Sequence, residues 1–190
     1  MATSDQPVDE SAWRFRNARQ LVKLLALNPE HSVHRERAIE ALWPDRELSA
    51  ASNNLRQALF VARRALDSCG DDGATRIVHA RDLLILSSER LRIDVEAFEA
   101  AAAQAELEPT LARYQAAIRL YGGELLPEDR FDDWVMPRRE MLRERQVRLL
   151  VELARLHELA GDHGAAAVAF QQVLLEEPLH EQAHRGLMRI

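Results

Sequence analysis

The chain has 190 residues, a formal net charge of −6 and only 5% aromatic residues. That length holds one large domain or two small ones with a real core, and scarce Gly and Pro beside abundant Leu and Ala predict a mostly helical protein. A single cysteine, Cys69, excludes an internal disulfide and points to a reducing cytoplasm, and no apolar run reaches the roughly 18 residues of a membrane span.

In chain order, residues 1–11 are polar and acidic and read as a disordered tail with no basic region or apolar core of a secretory signal. Ala12 to Arg16 alternates apolar and polar, as a short strand or the lead-in to a helix does. Asn17 is placed to cap a first helix running to about Leu27, with Leu21, Leu24 and Leu25 inward and Asn28-Pro29 at its end. Ser32 precedes a second helix, Val33 to Trp43, with Ala38, Ile39, Leu42 and Trp43 on its apolar face and Pro44-Asp45 after it.

A third helix follows from Ser49 to Asp67, capped by Ser49 or Ser52 and stopped near Ser68-Cys69-Gly70. Leu55, Leu59, Ala62 and Leu66 form its apolar stripe at i, i+4, i+7 and i+11. Opposite them lie Asn53, Gln57, Phe60 and Arg64, with Arg56 and Arg63 on the flank. Amide side chains pair bidentately with adenine edges, arginines reach guanine or phosphate, and Phe60 is suited to a thymine methyl. A merely solvated outer face is the plain alternative. After the Asp71-Asp72-Gly73 loop, Arg76 to His79 and Leu83 to Leu86 are β-prone runs separated by Ala80-Arg81-Asp82, the pattern of a hairpin. Three helices followed by a hairpin is the order of a winged helix, with Arg76 and Arg81 placing positive charge on the wing.

From Asp94 onward the pattern is helical. It comprises an Ala-rich helix from Val95 to Ala105, one from Pro109 to Tyr121, an irregular acidic loop from Leu125 to Pro137, helices from about Arg138 to Ala160 and Gly164 to Glu176, and a last one near Glu181. With Pro178 at position 32 of a 34-residue tetratricopeptide repeat, Leu150, Leu153, Ala154, Ala166 and Phe170 fall on pattern positions, while His157 and Val173 depart from it. The charge is split along the same line. Residues 11–92 hold fourteen Lys/Arg against ten Asp/Glu, and residues 93–190 hold eleven against eighteen, so a basic module of +4 precedes an acidic one of −7.

Three other features carry a possible chemistry and are read structurally. His180-Glu181-Gln182-Ala183-His184 matches HExxH, a zinc-binding pattern, but no third ligand is evident and the segment also reads as the start of a repeat helix. Glu128, Asp129, Asp132 and Asp133 lack the ligand alternation and central Gly of a calcium loop and read as a solvated loop or docking surface. Trp43 reads as core, and Trp134 as packing the acidic loop onto the helical domain. No Gly-rich phosphate loop and no catalytic constellation stands in the chain, so neither enzyme activity, a cofactor nor a metal is expected.

Several stretches carry a family likeness: Arg19 to Leu27, SVHRERAIEALWPD from Ser32, NNLRQALFVARRAL from Asn53, Ile93 to Glu99, LYGGELLPEDRFDDW from Leu120 and EPLHEQAHRGLMRI from Glu177. Together they resemble the bacterial transcriptional activator domain proteins, the SARP-type regulators that join a winged helix to a tetratricopeptide-like helical domain. The resemblance covers about residues 13–190. It implies a mainly α fold with a winged-helix-like unit at residues 12–92 and a helical domain at residues 93–190. It further implies that the third helix enters the major groove of double-stranded DNA, and that the helical domain serves self-association as a homodimer or contact with RNA polymerase. On this reading Asn53, Arg56, Gln57 and Arg64 face the bases, Phe60 beside them is placed for a thymine methyl, and Arg63, Arg76 and Arg81 contact phosphates. The NNL opening of the third helix is most similar to the subgroup at the head of large regulators carrying an ATPase module. The competing expectation is therefore a protein-interaction module of a larger signalling ATPase that binds no DNA, which the apolar Phe60 and Val61 favour. Family members normally begin with about three strands and continue with further helices, so the chain is expected to be a piece of a longer pattern.

Overall fold

The computed structural model describes residues 15–67, 77–87 and 92–190. The expected tail at residues 1–11, Ala12 to Arg14, the helix stop at Ser68-Cys69-Gly70, the Asp71 to Gly73 loop and Arg76 lie outside the described residues. The fold is mainly helical with a small antiparallel sheet, and the chain divides into two compact units, Met1–Arg92 and Ile93–Ile190.

In the first unit, α1 (Arg16–Leu27) packs on α2 (Arg35–Leu42) and α3 (Leu48–Asp67). Leu21, Leu24 and Leu25 of α1 are buried as their spacing predicts. The N-cap is Phe15 and not Asn17, which lies inside the first turn, and it makes no side-chain capping bond. At the other end the Asn28 side-chain nitrogen Nδ2 donates to the Leu24 carbonyl at 2.7 Å, closing the helix before Pro29. Glu30 and His31 then take positive φ angles of 54° and 50°, turning the chain sharply.

That turn delivers an element absent from the sequence reading. Ser32–His34 is a strand, β1, so α2 begins at Arg35 and not at Val33. β1 pairs antiparallel with β3 (Leu83–Leu86), which also pairs with β2 (Ile77–Ala80), giving the order β1-β3-β2. The expected hairpin is present, with Arg81-Asp82 as its two-residue turn. Val33, Ile77, Leu84 and Leu86 point inward from the sheet, while Val78, His79 and Ala80 are exposed.

The second unit contains α4 (Asp94–Leu107), α5 (Leu111–Leu120), α6 (Met136–Leu159), α7 (His163–Glu176) and α8 (Glu181–Arg189), each packed on the next. Thr110 Oγ1 caps α5 by accepting from the Arg113 amide at 3.3 Å, and Asp162 Oδ1 caps α7 by accepting from the Ala165 amide at 3.0 Å. Two ion pairs, Glu99 to Arg138 and Glu106 to Arg145, join α4 to α6, with seven-residue spacing on both helices that shows the two run parallel. The acidic loop is not simply solvated. Arg139 donates to the carbonyls of Leu125 at 2.9 Å and Leu126 at 3.0 Å, and Asp129 is buried.

Leu150, Leu153 and Ala154 of α6 and Ala166 and Phe170 of α7 are all buried. Phe170 also fixes how closely α8 approaches, because a side chain at Gly186 would collide with its ring. Gly186→Val is therefore expected to lower the stability of the helical unit by about 2–3 kcal/mol through overpacking. Urea unfolding measures this, and a variant as stable as the parent contradicts the packing.

Candidate nucleic-acid interface

The orientation of α3 follows from side-chain size. Ala51, Leu55, Ala58, Ala62, Ala65 and Leu66 are buried, and four alanines among six residues let the helix lie close on α1 and the sheet. Leu59, expected in the inner stripe, is only half-buried. Ser49 and Ser52 are within the helix, which starts at Leu48, so neither caps it. With one side fixed inward, the 100° step turns Asn53, Arg56, Gln57, Phe60, Arg63 and Arg64 outward, and all six are exposed. Arg56 Nη1 donates to Asn53 Oδ1 at 2.9 Å, which pre-orients an amide and a guanidinium one turn apart on that face. Phe60 keeps 66% of its surface exposed, a large apolar group without a cover.

The hairpin is tied to this helix. Arg63 Nε donates to the Ile77 carbonyl at 2.9 Å, joining α3 to the first residue of β2. At the far end of the hairpin the Arg35 amide donates to the Asp82 carbonyl at 2.7 Å, so the start of α2 holds the turn. Arg81 occupies that turn with φ 56° and is exposed. The candidate residues thus fall into one exposed helix face and one turn, and Arg63 has a structural bond that its spacing did not reveal. Among the described residues Arg64, Arg81 and Arg46 form no ion pair, so their charge is available to an anion. Arg46, in the turn that leads into α3, was missed because it falls outside the helical periodicity. Arg76 lies outside the described residues.

Both histidines of the HExxH segment make local hydrogen bonds. His180 is the N-cap of α8, its Nδ1 accepting from the Ala183 amide at 3.3 Å, and His184 Nε2 bonds the Pro178 carbonyl at 2.9 Å. Among the described residues no cluster of three or more His, Cys, Asp or Glu stands together. Trp43 is buried, and Trp134 is half-buried. Among the described residues no helix is long and apolar enough to cross a membrane.

Residues 88–190 match the model of the bacterial transcriptional activator domain, which is more than half of the chain. The chain belongs to the bacterial transcriptional activator domain family. This is a family of regulatory domains, and its matched segment includes all five helices of the Ile93–Ile190 unit. No curated protein matches the chain significantly.

The bond from Arg63 to Ile77 has a measurable consequence. Arg63→Gln is expected to speed amide exchange in Ile77–Leu86 about fivefold, the equivalent of about 1 kcal/mol for a half-exposed charged hydrogen bond. Hydrogen exchange by mass spectrometry measures it in the free protein. Unchanged exchange across the hairpin contradicts the tie.

Proposed function

We propose that this member of the bacterial transcriptional activator domain family is a DNA-binding transcriptional regulator with an activating role. In this reading the Met1–Arg92 unit is a winged helix, and α3 lies in the major groove. Asn53, Arg56, Gln57, Phe60 and Arg64 contact base edges, and Arg76 and Arg81 of the wing contact phosphates. Arg63 combines a phosphate contact through its terminal nitrogens with its bond to the wing. The observation that carries the reading is the exposed band of amides, arginines and one aromatic along a 20-residue helix, beside a hairpin with a cation at its tip.

The tetratricopeptide-like Ile93–Ile190 unit supplies the second half of the function. Its net charge of −7 over residues 93–190 suits contact with a protein and not with a polyanion. Self-association or contact with RNA polymerase is the role proposed for it. One helix spans too few base pairs for genomic specificity, which favours a homodimer on repeated half-sites.

The test takes two measurements on the same protein. Arg56→Ala combined with Gln57→Ala is expected to weaken binding to a selected duplex by a few kcal/mol, at about 1–3 per lost base contact. Binding of the parent is expected to fall as salt rises, with a slope of about −0.9 per phosphate contacted. Undiminished affinity of the double variant removes α3 from the reading role.

A second reading is favoured by Phe60, since an aromatic ring 66% exposed on a helix face also suits a protein partner. There the three-helix unit is a protein-interaction module of a larger signalling ATPase. Absence of duplex binding even at low salt supports that reading.

A further inference from the structure

The helical unit contains a cleft of about 350 Å³ between α4 and α5 on one side and the start of α8 on the other, with α6 as its floor. That volume is at the low end of small-molecule sites, roughly 300–1,000 Å³. Its floor carries both signs of charge, Arg148 and Glu152, one helical turn apart. Neighbours at that spacing commonly pair, yet these two do not. Glu152 bonds Arg155 at 3.1 Å, and Arg148 makes no hydrogen bond or ion pair among the described residues.

The walls divide in the same way. Glu106 faces the cleft from α4 and is held by Arg145 at 2.8 Å. At the start of α8, His180 uses its Nδ1 to accept from the Ala183 amide, which leaves Nε2 as the ring's donor. Tyr114 is buried beside them, and burial, then the charges of Glu152 and Glu106, push its phenol above its ordinary 10.0, so it stays neutral. A simple anion entering here meets two carboxylates, and a simple cation meets Arg148. A ligand with both charges satisfies each side, with its apolar part on Leu149, Val151 and the Tyr114 ring.

We propose that this cleft binds a small zwitterion, a free L-amino acid with an apolar side chain, its carboxylate on Arg148 and the His180 Nε2–H and its ammonium on Glu152 and Glu106. The family match assigns no ligand to this unit, and the site does not depend on the DNA-binding reading.

Calorimetric titration of the whole chain with L-leucine, L-isoleucine, L-valine, L-methionine and L-phenylalanine tests the site. At least one is expected to bind. Its N-acetyl derivative, which lacks the ammonium, and its amide, which lacks the carboxylate, are each expected to bind at least about tenfold more weakly, as are Arg148→Gln and Glu152→Gln. The derivatives act on the unaltered chain, so they decide the matter even if a substitution impairs folding. Failure of all five to bind at about 10 mM, or a capped derivative binding as well as its parent, overturns the proposal.

Discussion

The rotational setting of α3 about its own axis is the constraint on which the first unit depends. Alanines at 51, 58, 62 and 65 let the helix sit close to its support, and Leu55 and Leu66 fill what they leave. Close packing permits few alternatives, because a turn of even one residue would bury an arginine or expose a leucine. The exposed polar band is thus a consequence of the core. Asn53, Arg56, Gln57 and Arg64 project outward because the alanines across the helix fit inward.

The hairpin gains its fixed place from backbone chemistry. Among the described residues β2 pairs with β3 alone, and a two-stranded ribbon by itself is marginal in water. β1 adds a third strand, Arg63 holds the base through the Ile77 carbonyl, and the Arg35 amide holds the turn through the Asp82 carbonyl. These bonds draw on α2, α3 and the segment before α2, so the small sheet acts as a brace between elements distant in sequence. In the helical unit the same service comes from ion pairs at equal spacing on α4 and α6 and from the tight contact of Phe170 with Gly186.

Periodic segments were legible in the sequence, because an apolar pattern repeated over several helical turns leaves few alternatives. The helix from Leu48 to Asp67, the buried leucines of α1 and the helices after Asp94 belong to this class. β1 was not legible: three residues carry no period, and Ser32 before an apolar residue imitates a helix cap. The bond from Arg63 to Ile77 was equally hidden, since periodicity places a side chain on a face without saying what backbone comes to meet it. Asn17, Ser49 and Ser52 show the limit of capping rules, as each is a good cap residue that lies inside a helix set by packing. The zinc-like spacing at His180 and His184 resolved into local bonds to Ala183 and Pro178, a use that the spacing alone does not distinguish from ligation.

The proposed regulator requires that the outer face of α3 meet a duplex. The most direct measurement is a nitrogen-15 NMR titration of the protein with a selected duplex, following backbone and arginine side-chain signals. Shifts are expected to concentrate on residues 53–64 and on the turn at Arg81, with residues 93–190 unmoved. Shifts confined to residues 93–190, or none at low salt, would contradict it.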